Sequence, residues 1–118
     1  DWNTGGIISD RKFKNGRYRL VVNDRPGNLA GVIQVNEYVF TMSLFVEGEP
    51  DPVFFVCAEH GPSTKTPMLC TLNRELQHDN YGAEADYSNF LNFRTRATSL
   101  IDDFAMTKFG ETVSEEST

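Results

Sequence analysis

The residues of this chain best suited to chemistry are its two cysteines and two histidines. Cys57-x-x-His60 has the spacing of a zinc knuckle, and Cys70 and His78 follow it. Thiolates and imidazoles are the ligands that zinc takes, in tetrahedral sets of four. The second pair lacks this spacing, because seven residues separate Cys70 from His78. These four residues are therefore weak metal-ligand candidates, and the sequence predicts neither a metal nor another cofactor.

The two cysteines also lie in a segment that predicts a β-hairpin. Apolar runs that end at Cys57 and contain Cys70 flank a turn rich in Gly, Pro, Ser and Thr. A symmetric hairpin places Cys57 opposite Cys70, and Phe55 opposite Leu72 on the same face, because side chains alternate along a strand. Directly opposed Cβ atoms are about 4.5–5.5 Å apart, which a disulfide can bridge. A bridged pair predicts an extracellular or periplasmic protein, and two buried thiols predict a cytoplasmic one.

Arrangements typical of enzymes are missing from the sequence. A cysteine nucleophile needs an accessible, electropositive site, whereas Phe, Val, Met and Leu flank Cys57 and Cys70. The adjacent carboxylates Asp102 and Asp103 diverge by about 100° on a helix and cannot form an acid pair. No glycine-rich phosphate loop, Gly-x-Ser-x-Gly or His-Glu-x-x-His motif occurs. We therefore expect a protein that is not an enzyme and assign no catalytic residue. A small enzyme with a pocket between sheet and helix is the last alternative.

A basic segment near the start of the chain is the candidate site for an anion. Six of the eleven Lys and Arg residues lie within positions 11–25, although the net charge is −6. These residues are Arg11, Lys12, Lys14, Arg17, Arg19 and Arg25. Phe13 and Tyr18 interleave with them, and sites for single-stranded nucleic acid combine a basic groove with aromatic rings. A module that binds single-stranded nucleic acid or an anionic ligand is thus one alternative. A solvated basic face is the simpler interpretation.

Apolar residues on both faces of two strands favour a protein partner. Phe45 and Phe54 lie at such mixed positions. A strand with two apolar faces lies between layers or exposes a patch, and exposed apolar patches mark interaction sites. The leading prediction is therefore a non-catalytic binding protein that engages a protein partner through its sheet surface. The sequence predicts no particular oligomeric state.

Alternating hydrophobicity predicts a β-sheet over the first two thirds of the chain. Each predicted strand is followed by a connection short enough for a hairpin, which predicts a meander. The five predicted strands are 17–23, 29–35, 38–46, 53–57 and 68–72. Residues 1–15 could add an edge strand or form an arm, and residues 73–85 are polar and predict a loop.

A different period follows the predicted loop. From about residue 86 to 109, apolar residues recur every three or four positions, which predicts an amphipathic helix. A strand over 91–95 is the competing prediction. Together, the strands and the helix predict one α+β domain over residues 1–110. Its sheet is a five- to six-stranded antiparallel meander, either open or closed into a small barrel, and the C-terminal helix packs on it. Residues 111–118 predict an acidic, disordered tail. No apolar run approaches the roughly 20 residues of a membrane span.

Overall fold

A computed structural model of the protein describes residues 6–25, 37–61 and 65–114. The helix α1 spans Phe90–Phe109, and the strands are β1 (Gly6–Phe13), β2 (Tyr18–Asp24), β3 (Glu37–Val46), β4 (Phe54–His60), β5 (Met68–Asn73) and β6 (His78–Gly82). All six strands form one antiparallel sheet in the order of the sequence, and α1 packs on one face of it. The predicted α+β meander is confirmed, and its sheet is open.

The sheet decides one predicted alternative, at β1, and departs from the predicted strands at β6. Residues 6–13 form a strand and not an arm. The predicted strand over 29–35 lies outside the described residues. The prediction of a loop over 73–85 is wrong at β6, whose side chains are polar and mostly exposed. This edge strand is held by backbone pairing with β5 and buries no apolar face, so hydrophobic alternation could not predict it.

The main core lies between α1 and the sheet face that it covers. Alternation directs Leu20 and Val22 of β2 toward this core. On α1 the buried positions recur at helical spacing: Phe93, Ala97, Leu100, Ile101 and Ala105. The ring centroids of Phe93 and Phe40 are 5.3 Å apart, which joins the first half of the helix to β3.

Capping groups define both ends of α1. The Asn89 side chain accepts a hydrogen bond of 3.2 Å from the backbone N–H of Asn92, which satisfies a donor of the first turn. Gly110 takes φ 76°, in the left-handed region, and its N–H donates to the Met106 carbonyl. The helix begins later than the predicted residue 86, because Asp86 instead accepts the N–H of Ser88 in a preceding turn.

The chain stays packed for four residues beyond Gly110, inside the segment predicted as a disordered tail. Val113 is fully buried. The Asp102 carboxylate accepts hydrogen bonds from the backbone N–H groups of Val113, at 2.8 Å, and Ser114, at 2.9 Å. Glu111 accepts a hydrogen bond of 2.6 Å from the Tyr18 hydroxyl. Side chains of distant elements, Asp102 of α1 as an acceptor and Tyr18 of β2 as a donor, hold this segment. Residues 115–118 lie outside the described ranges.

The contacts of Glu111 predict a pH-dependent contribution to stability. The Tyr18 hydroxyl and the Arg17 guanidinium lower the pKa of Glu111 from its ordinary value of 4.5. A carboxyl group whose pKa is lower in the folded state adds stability above its unfolded pKa, and that stability is lost as pH falls through the folded pKa. We expect Glu111→Gln to lower the free energy of unfolding at neutral pH. The difference between the variant and the wild type should shrink below about pH 4.5, because the Glu111 carboxyl group is then protonated and neutral, as the Gln side chain always is.

Urea unfolding of the wild type and the Glu111→Gln variant, from neutral pH to below about pH 4.5, measures this difference in unfolding free energy. A difference in unfolding free energy that stays constant into acid would contradict the assignment.

Candidate functional site

The sheet face opposite α1 carries a second, smaller cluster that includes both cysteines. Phe55, Cys57, Cys70 and Leu72 are buried together on this face, which we call the thiol face. The strand register places Cys57 opposite Cys70 and Phe55 opposite Leu72. The predicted hairpin register is therefore confirmed.

Both cysteines are free thiols, so the structure does not contain the candidate disulfide between Cys57 and Cys70. The Cys57 thiol donates instead to the carbonyl oxygen of Cys70, with 3.7 Å between sulfur and oxygen. Burial raises the pKa of both thiols, and the nearby Glu59 carboxylate raises it further. A buried, neutral thiol is a poor nucleophile, so this arrangement offers no catalytic cysteine.

Three side chains of metal-ligand type meet at the margin of the thiol face. Glu59 and Cys70 are buried, His78 is exposed, and one ligand atom from each lies within 4.8 Å of the other two. The distance from His78 Nε2 to Glu59 Oε1 is 3.6 Å. Sequence spacing could not identify Glu59, because β4, β5 and β6 each contribute one residue and only the strand register brings the three together.

The knuckle-like pair that the sequence indicated does not form part of this group. Cys57 and His60 are three residues apart on β4, and side chains at odd separations along a strand point to opposite faces. Cys57 therefore lies on the thiol face and His60 on the other. Of the four candidate ligands, the structure brings Cys70 and His78 together and adds Glu59 to them.

The basic segment becomes the hairpin of β1 and β2, where carboxylates pair with several of its cations. Arg19 donates two hydrogen bonds to Asp10, at 2.8 and 2.9 Å. Arg17 donates to Glu111. Arg25 Nε lies 3.8 Å from a carboxylate oxygen of Asp24. These contacts reduce the positive potential that a polyanion would meet.

The same segment is divided between the two faces of the sheet. Arg11 borders a groove beside α1. Lys12 and Arg19 lie on the opposite face, at a wider groove that Asp10 also lines. Lys14 lies in the turn between the two strands, with φ 53°. The six basic residues therefore do not form one continuous surface.

The two phenylalanines predicted to contact a partner also lie on different faces. Phe54 is only 9% exposed, and its ring stacks on Phe104 of α1 with centroids 4.3 Å apart. Phe54 is therefore a core residue and offers no contact surface. Phe45 is partly exposed on the thiol face, with the Arg19 guanidinium 5.1 Å from its ring centroid. Of the pair, Phe45 alone can touch a partner.

Strand β1 is an exposed edge of the sheet. Among the described strands none pairs with its outer side, and Ile7 and Ile8 are 54% and 44% exposed. Because α1 rests on β3 and β4, a groove of about 400 Å³ remains between β1 and the helix. We call it the β1 groove. Residues that line it include Ile8, Arg11, Phe13, Leu20, Val22, Met42, Phe90 and Arg94.

Within the described residues, α1 lacks the apolar length needed to cross a membrane. The chain matches no protein-family model, and no curated protein or solved structure is significantly similar to it.

Proposed function

We propose that this protein is a non-catalytic binding domain that accepts an extended segment of a partner protein along β1. The carrying observation is the exposed outer side of β1 beside the apolar β1 groove. An edge strand presents backbone N–H and C=O groups that an incoming strand can pair with. In this mode of recognition the backbone supplies affinity, and pockets for alternate side chains supply specificity. The β1 groove can serve as such a pocket.

The chemistry of the β1 groove favours a segment whose groove-facing residues, every second one along the strand, include both apolar and acidic side chains. Its floor is apolar, and two guanidinium groups lie over aromatic rings at the groove. Arg11 lies 5.2 Å from the Phe13 ring centroid, and Arg94 lies 5.9 Å from that of Phe90. Guanidinium groups bind carboxylates with two parallel hydrogen bonds. Asp and Glu side chains of the partner are therefore expected to meet Arg11 and Arg94.

The opposite edge of the sheet is less suited to this role. β6 has five residues, His78–Gly82, and most of them are polar. β1 has eight residues and two exposed isoleucines. Short, polar edge strands are a common protection against pairing with another chain, and β1 is longer and more apolar than β6.

Selection from a displayed library of random peptides tests the proposal. We expect every second residue of the enriched peptides to be apolar or acidic, because these residues face the groove. N-methylation of alternate backbone amides should abolish their binding, because the inter-strand hydrogen bonds are lost. The variant Arg11→Glu/Arg94→Glu should bind the enriched peptides about tenfold more weakly, since two ion pairs of up to about 1 kcal/mol each are replaced by repulsion.

Lys12→Glu is the matched control, because Lys12 lies on β1 but lines the groove on the opposite face. Its affinity for the enriched peptides should equal that of the wild type. Failure to enrich any peptide would contradict the proposal, as would equal binding by the Arg11→Glu/Arg94→Glu variant. A dimer that Ile8→Lys dissociates would also overturn it, because the occupant of β1 would then be a second copy of the chain.

A further inference from the structure

We propose that Glu59, Cys70 and His78 form a binding site for a divalent transition-metal ion of the zinc class. The site lies on the thiol face, near the β6 edge, and is separate from the β1 groove. A test of this metal site is therefore independent of the proposed peptide binding.

The distances suit a tetrahedral ion. Ligand atoms about 2.0–2.3 Å from tetrahedral zinc stand roughly 3.3–3.8 Å from one another. The 3.6 Å between His78 Nε2 and Glu59 Oε1 falls in this range and exceeds an ordinary N–H···O hydrogen bond. The three ligand atoms lie within 4.8 Å of one another, so their closure around an ion needs a movement of at most about 1–1.5 Å. Rotation of the half-exposed His78 side chain can supply that movement.

An irregularity in strand pairing places His78 on the thiol face. The register between β5 and β6 shifts between Leu69 and Cys70, so that His78 lies opposite Leu72. A continuous register from Leu69 and Gly82 would instead place His78 opposite Asn73, on the other face, because a one-residue slip exchanges the faces of a strand. Such bulges are frequent next to functional sites, where they redirect a side chain.

The donor set selects the class of ion. A thiolate and an imidazole are soft or borderline ligands that suit Zn²⁺ and Co²⁺, whereas Ca²⁺ and Mg²⁺ prefer oxygen ligands. The Cys70 thiol releases its proton to solvent on binding, because the thiolate is the form that ligates the ion. Three protein ligands leave a fourth position for water or an external ligand, on the side of exposed His78.

Titration of the untagged, reduced protein with Co²⁺, followed by competition with Zn²⁺, tests the proposal. We expect one ion per chain, a thiolate-to-cobalt charge-transfer band, and visible bands typical of tetrahedral cobalt. Zn²⁺ should displace the Co²⁺. Cys70→Ser should abolish the charge-transfer band. His78→Ala should weaken Co²⁺ binding by at least about tenfold, and its exposed position makes misfolding a poor explanation.

Two matched controls keep the assignment specific. His60→Ala removes the other histidine, which lies on the opposite face of β4, and Cys57→Ser removes the other thiol. Both variants should bind Co²⁺ as the wild type does. Absence of Co²⁺ binding by the wild type would overturn the proposal, as would undiminished binding by His78→Ala. Loss of the charge-transfer band in Cys57→Ser would equally overturn it, because the ligands would then include the cysteine pair.

Discussion

Phe93→Ala is expected to lower the free energy of unfolding by about 3–5 kcal/mol, the range for truncating a buried phenylalanine. Phe93 has no exposed surface and lies on the buried stripe of α1. Its ring packs against Phe40 of β3, with centroids 5.3 Å apart. The substitution removes a large apolar area and leaves a cavity where helix and sheet meet, so both contributions act in the same direction. Urea unfolding followed by circular dichroism measures the change.

Leu91→Ala is the matched control for this prediction. Leu91 lies two residues earlier on α1 and is 58% exposed, so its truncation leaves no cavity. We expect a change within about 0.5 kcal/mol, as for most surface substitutions. Equal destabilisation by the two variants would contradict the orientation of α1 on the sheet.

Asp102→Ala is expected to lower the free energy of unfolding by about 2–4 kcal/mol, through lost charge-assisted hydrogen bonds and release of buried Val113. The Asp102 carboxylate accepts two backbone N–H groups, from Val113 and Ser114, and also the Ser114 hydroxyl. Without these acceptors, partly buried donors have no partner and residues 111–114 lose their attachment to α1. Faster proteolysis of the chain after Gly110 should accompany the loss of stability.

Asp103→Ala controls for charge and helix position. Asp103 is the neighbouring residue of α1 and is exposed. Its substitution should change the free energy of unfolding by no more than about 0.5 kcal/mol. A similar loss in both variants would mean that helix charge, and not the docking of residues 111–114, explains the effect.

The parts of the fold that the sequence predicted well are those with a strong hydrophobic period. The hairpin register follows from Cys57, Cys70 and their apolar neighbours, because a one-residue slip would exchange both faces. The helix follows from apolar residues at three- and four-residue spacing. In both elements the spacing of apolar residues directly indicates which face is buried.

Other features depend on contacts that no local pattern records. β4 is buried along both faces, so alternation could not tell which face α1 covers. For this reason the sequence predicts a contact surface at Phe54, which lies in the core. The group of Glu59, Cys70 and His78 depends on a register shift between β5 and β6. Asp102 holds a segment eleven residues further along the chain, and no local pattern around it indicates this contact.

The central claim is that β1 is an edge strand used to bind a partner. Amide hydrogen exchange of the protein with and without an enriched peptide tests it most directly. We predict that bound peptide slows the exchange of alternate amides along β1, whose outward N–H groups would then be paired. A contradictory result would be unchanged exchange along β1, with protection appearing instead around Phe45 and the loop at residues 47–51.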